Sequence, residues 1–274
     1  MLVSCIQTNP QENLDTNLES IVKQIHKAKK SGAQVVVLPE MYSFMGRESE
    51  RKLSKSNLNE GPFAILKSLA KDLDIFLISG SHSESIEKNS EKVFNTSVAY
   101  NNKGEIISIY RKLHLFNLVD IEGNKLYCES DVFEVGEAPK AFEIFIDGKN
   151  WKALTIICYD LRFPEIIRTQ KENIDILFVP AAFTWQTGKD HWEILLRARA
   201  IENQCYVVAC NQTGFYANDQ KRNYGNSMII DPWGNVLSRL GDECGILSEV
   251  LSKDAISESR QRLPALHDRK IKFQ

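Results

Sequence analysis

Apolar residues recur at helical spacing near the start of the chain. Leu14, Leu18, Ile21, Val22, Ile25 and Ala28 fall on one face, Asn13 stands as a cap and Gly32 as a stop. Val35-Val36-Val37-Leu38 follows, a β-branched run closed by Pro39 that reads as a strand buried on both faces. Pro62 opens a second helix with Phe63, Leu66, Leu69, Ala70 and Leu73 inward, and Ile75 to Ile78 is the next strand. Val93–Tyr100 and Glu105–Tyr110 flank Asn101-Asn102-Lys103-Gly104, a hairpin signal. Ala153–Ile157 predicts a strand running into Cys158, with Pro164 opening a short helix. Asp175–Val179 predicts a strand, Asp190–Asn203 a helix and Cys205–Cys210 a strand. Two last strands, Ser227–Ile230 and Asn235–Leu240, surround the turn Asp231-Pro232-Trp233-Gly234. Strands alternating with amphipathic helices predict an α/β fold whose sheets pack inner face to inner face. No stretch reads as a linker or repeat, so residues 1–274 are expected to form one domain.

Composition narrows the function. The 274 residues carry 34 Lys and Arg against 36 Asp and Glu, and 43% are hydrophobic, as suits one sizeable core. A pI near 6.3 supplies no basic field for nucleic acid. No apolar run reaches the roughly 18 residues of a membrane span, and the first residues lack a basic leader, so a cytoplasmic protein with neither nucleic-acid nor membrane partners is expected. The six cysteines (5, 128, 158, 205, 210, 244) include no Cys-x-x-Cys, and the five histidines never fall at ligand spacing. Neither a metal nor a phosphate-bound cofactor is expected.

Three reactive side chains sit at strand tips, where ligand sites of α/β folds gather. Glu40 follows Val-Val-Val-Leu-Pro, Lys112 follows the strand ending at Tyr110, and Cys158 follows Leu-Thr-Ile-Ile. Taken singly, each has a plain structural reading: a loop carboxylate, a surface cation, a buried small hydrophobe.

Together, Leu38-Pro39-Glu40-Met41, the segment from Tyr110 to Phe116 and the segment from Ile157 to Glu165 resemble the three signatures of the nitrilase superfamily of carbon–nitrogen hydrolases. The resemblance runs from Gln7 to Arg269. It implies a four-layer α-β-β-α sandwich, pairing of chains into a homo-oligomer (dimer or higher), and hydrolysis with no cofactor. Tyr127-Cys128-Glu129-Ser130, Ala182-Phe183 with Thr187-Gly188, and the run from His191 to Glu202 resemble the amidase branch, which includes deaminated-glutathione amidase and ω-amidase. One departure is Gly225-Asn226-Ser227, where those relatives carry Gly-His-Ser.

The implied reaction cleaves a small carboxylate-bearing amide to acid and ammonia. Cys158 attacks, Glu40 moves protons, and Lys112 with the Tyr159 backbone N–H stabilises the oxyanion. Glu129 resembles the family's additional glutamate, which orients the lysine or the water. Candidate substrate contacts are Tyr159, Arg162, Phe183 and Thr184, with further donors in the loop 183–189 and at Arg197 and Arg199. Two readings of Arg162 stay open: a brace paired with Asp160, or a partner for the substrate carboxylate. A thiol-based binding or sensor protein is the rival class. The intact Glu, Lys and Cys argue against it.

Overall fold

The computed structural model describes residues 1–86, 90–218 and 221–271. Two sheets stack face to face. The first runs in the order Gly245–Val250, Leu2–Gln7, Val35–Val37, Phe76–Ile78, Val93–Tyr100, His82–Ser85, with Ile106–Arg111 also paired to Val93–Tyr100. The second runs Val236–Arg239, Met228–Ile230, Tyr206–Asn211, Ile176–Ala181, Lys149–Thr155, Phe142–Ile146. Each is parallel in the middle and antiparallel at its margins.

The period of two along a strand explains the layering. Val35 and Val37 point into the seam between the sheets beside Cys5, Ile78, Phe178, Val208 and Cys210. Val36 between them points outward, against Ile21 and Ile25 of the Leu14–Lys30 helix and Phe63 and Leu66 of the Gly61–Asp72 helix. On the second sheet Leu177, Val179 and Val207 face Trp192 and Leu196 of the Trp185–Asn203 helix. The result is the four-layer α-β-β-α sandwich.

Asn13 caps the first helix as expected, its side chain accepting the Thr16 N–H. The later helix departs from expectation. It begins at Trp185, not Asp190, so Thr184 is its N-cap and most of the expected loop is its first turn. Gly188 would discourage a helix here by propensity, but a Cβ at that position would strike the Tyr224 ring, and close packing on the Lys221–Tyr224 strand decides the outcome. Two hairpins, Asn117–Val119 with Lys125–Cys128 and Thr213–Tyr216 with Lys221–Tyr224, stand outside the sheets. Their strands of three or four residues are too short for a periodicity reading.

Candidate active site

Glu40 leaves its strand at Pro39 and turns into a buried position, 2% exposed. Gly80 makes room: at φ 65° it lies so near the Pro39 carbonyl that no Cβ would fit. The neighbouring Ser81 N–H donates to that carbonyl, and the Met41 N–H donates to the Ser81 hydroxyl. The Glu40 carboxylate accepts from Asn95 Nδ2 at 2.8 Å, from Lys112 Nζ at 2.8 Å and from the Ala182 N–H at 2.9 Å.

Lys112, 1% exposed, bridges two carboxylates. Its Nζ donates to Glu40 and, at 3.0 Å, to Glu129 Oε1. Glu129 also accepts the Phe116 N–H at 2.8 Å, and the Arg51 guanidinium lies 4.0 Å away.

Cys158 opens a short 3-10 turn, Cys158–Arg162, with φ 49°. A left-handed backbone is strained for a residue with a Cβ and persists only where its surroundings hold it. Asp160 does the holding. It accepts the Ile157 N–H at 2.9 Å, the Tyr110 hydroxyl at 2.6 Å and the His114 N–H at 3.0 Å. Of the two readings of Arg162, the brace paired with Asp160 is not formed: two residues apart on a tight turn, the side chains diverge. Arg162 turns outward, its guanidinium 3.3 and 3.4 Å from His191 Nδ1 and over the rings of Tyr159 and Phe183.

These placements set the charge states. Burial alone would raise the Glu40 pKa, but Lys112, the hydrogen bond from the Cys158 thiol and Arg51 together hold it below the ordinary carboxylate range. Burial, joined by the charges of Glu40 and Glu129, pushes the Cys158 thiol well up despite Lys112. Glu129 is raised by burial, with Lys112 opposing and Glu40 reinforcing. Lys112 is raised although burial works against it, because Glu129 and Glu40 hold its proton. The resting cluster is a neutral thiol against an ionised carboxylate.

A narrow pocket open to solvent joins these groups. Tyr159, Arg162, Phe183 and Thr184 all line it. Arg197 and Arg199 do not, which corrects their expected part in binding. Arg199 is held by the Leu161 carbonyl and Glu202, and Arg197 by the Gly234 carbonyl. Lys189 is exposed on the helix and lies off the pocket lining. Asn226, at φ 58°, is also outside it: its Oδ1 accepts from Arg239 and its carbonyl from Trp192 Nε1. The missing imidazole is thus a matter of packing under the helix.

Comparison with known proteins decides the family. The family described as carbon-nitrogen hydrolase matches residues 2–261. A deaminated glutathione amidase of Synechocystis sp. is 34% identical over 269 residues, covering 98% of this chain and 97% of that one. The chain belongs to the carbon–nitrogen hydrolase family. Among solved structures, the Caenorhabditis elegans NitFhit protein superposes with a TM-score of 0.88 at 29% identity, over 98% of this chain and 65% of that longer one. Saccharomyces cerevisiae Nit3, a member of branch 10 of the nitrilase superfamily, gives 0.85 at 28% identity, over 99% and 97%.

In this carbon–nitrogen hydrolase the pocket also contains residues that sequence reasoning did not single out. Phe116 and Tyr127 lay inside the matching strings but carried no signal of their own, whereas Thr187 belongs to the loop 183–189 already expected to supply donors. Arg51, 1% exposed and lining the pocket, sits in the run Arg47-Glu-Ser-Glu-Arg-Lys, which by pattern is a solvated charged face. Nothing in its spacing marks it. Among the described residues no helix is long and apolar enough to cross a membrane, and all six cysteines are free.

Proposed function

We propose that this hydrolase is an amidase for small carboxylate-bearing amides, with deaminated glutathione its preferred substrate. The observation that carries the reading is the Lys112 ammonium fixed between Glu40 and Glu129 in the pocket that Cys158 also lines. Similarity to the Synechocystis amidase supports the substrate.

Sulfur of Cys158 attacks the amide carbon as its proton passes to Glu40. The carbonyl electron pair moves to oxygen, where the Lys112 ammonium and the Tyr159 N–H meet the new charge. One such donor is worth about 3 kcal/mol, or 10²–10³ in rate. The C–N bond then breaks, and Glu40 returns the proton to nitrogen. From a primary amide the base released is ammonia; from deaminated glutathione, whose amide nitrogens carry carbon, it is an amine. Water attacks the thioester, giving its proton to Glu40, which passes it to sulfur as the acid departs. Proton transfer of this kind contributes roughly 10²–10⁴. Glu129 holds Lys112 in place. Tyr159, Phe183 and Thr184 shape the acyl site, and Arg162 takes the acyl carboxylate.

The same reading treats 1–274 as one hydrolase domain, places it in the cytoplasm, where six free thiols suit a reducing compartment, and has it act as a homo-oligomer. Product release from deaminated glutathione, α-ketoglutaramate and an aliphatic amide, with a Cys158→Ala control, tests the proposal. The expected result is the highest kcat/KM on deaminated glutathione. A higher value on α-ketoglutaramate would move the assignment to ω-amidase, and no turnover at all would favour a sensor.

A further inference from the structure

Beside the Cys158 pocket lies a second, wider chamber, open to solvent on one side and continuous with it through the shared walls of Phe116, Tyr127, Thr184, Thr187 and Tyr216. The two hairpins outside the sheets and the first turn of the Trp185–Asn203 helix form its sides. None of its described lining residues is acidic, and two are cations on one strand, Lys221 and Arg222. The Arg222 guanidinium lies 3.6 Å from the centroid of the Trp185 ring and 5.1 Å from that of Phe215. Its Nη2 donates to Asp242 at 2.7 Å, while its buried Nε meets no acceptor among the described residues. Lys221 Nζ sits 4.9 Å from the centroid of Tyr127, a ring that lines both spaces.

We propose that this chamber is a leaving-group subsite, in which Arg222 binds a carboxylate carried on the amine half of a secondary amide. The substrate is an acyl group joined to an amino acid or short peptide, the class to which deaminated glutathione belongs, and Arg222 is the residue that reads its leaving half. The inference rests on the amidase reading and extends it.

Order of release gives the direction. In a thioester mechanism the amine departs while the acyl group stays on sulfur, so the half that leaves first must lie on the side of the opening. The inner pocket then keeps the acyl half, and the amine half extends between the hairpins. Stacking on Trp185 strips water from the face of the Arg222 guanidinium and leaves its in-plane N–H groups for a planar carboxylate. Asp242, half-exposed, does not cancel this charge, because an ion pair open to solvent is weak. When the C–N bond breaks, nitrogen takes the Glu40 proton and the amine leaves with its carboxylate outward.

The test compares three amides of one acyl group: the primary amide, the glycine amide and the glycinamide amide, which lacks the carboxylate. In the unaltered enzyme kcat/KM for the glycine amide should exceed that for the glycinamide amide by about 10–100-fold, the value of a charged hydrogen bond. In Arg222→Gln the ratio of those two values should collapse toward one through KM, and Arg222→Lys should restore part of it. Equal values for the two in the unaltered enzyme, or a ratio that survives Arg222→Gln, would overturn the subsite while leaving the amidase standing. Failure to cleave even the primary amide would remove both.

Discussion

The Asp160 carboxylate accepts the Tyr110 hydroxyl at 2.6 Å, and through that bond the turn that presents Cys158 is tied to the strand that delivers Lys112. Both groups are buried, and burial followed by the charge of Asp160 drives the Tyr110 pKa far up, so the phenol stays a donor. Tyr110→Phe leaves the rest of the Asp160 network in place but removes one bond to a buried charge. A loss of about 1–3 kcal/mol is expected in denaturant unfolding. A drop in kcat larger than any rise in KM should accompany it, because the nucleophile and the ammonium lose their common brace.

Cys158 should be the only cysteine needed for turnover. Cys5, Cys205 and Cys210 are fully buried in the strands or beside them, and Cys244 is exposed and does not line the pocket. Cys158→Ala should abolish product release, whereas Cys244→Ser should behave as the unaltered protein. More than a few per cent of activity left in Cys158→Ala would remove the thioester from the mechanism.

Lys112 has a stability role that its position in the sequence hides. Lys112→Met leaves two buried carboxylates facing each other, and breaking a buried pair costs about 3–5 kcal/mol. The Glu40 contribution to the pH dependence should invert. In the unaltered protein the depressed Glu40 pKa contributes stability above its unfolded value that is lost as pH falls through the folded one. In Lys112→Met both carboxyls titrate above their unfolded values, so lowering pH should stabilise the variant. Melting temperatures from pH 4 to pH 8 would read the two slopes. Parallel slopes would mean that Lys112 does not set the ionisation of the pair. Activity should fall by at least about 10², the size expected for an oxyanion donor.

Arg51 helps keep Glu40 ionised. Removing its charge with Arg51→Gln should raise the Glu40 pKa and move the acid limb of the kcat/KM profile to higher pH. The limb moves upward because Glu40 must be deprotonated to accept the thiol proton. An acid limb that stays in place would confine Arg51 to shaping the pocket.

Much of this arrangement was legible in the sequence. Glu40, Lys112 and Cys158 each follow a strand whose apolar run ends abruptly, and parallel strands bring such ends to one edge. The layering followed from Val35-Val36-Val37, buried all round where an exposed face would alternate. What stayed hidden depends on distant partners. Asp160 finds Tyr110 on a strand of the first sheet and His114 in the segment that follows it, whereas local spacing offered Arg162 as one reading. The Trp185 helix starts early because of a ring supplied by Tyr224. Arg51 reads as a surface charge until the Glu129 carboxylate and Tyr127 ring are folded against it.

Glu40 and Lys112 stand on one sheet, Cys158 on the other, and the Ala182 N–H reaches from the second sheet to Glu40 across the seam. The chemistry therefore belongs to neither sheet but to their alignment. A slip of one sheet past the other by a fraction of a bond length would part sulfur from its base long before the molecule lost helix or strand. Catalytic rate is thus a finer gauge of how the Val37, Phe178 and Cys210 side chains mesh than any spectroscopic measure of folding.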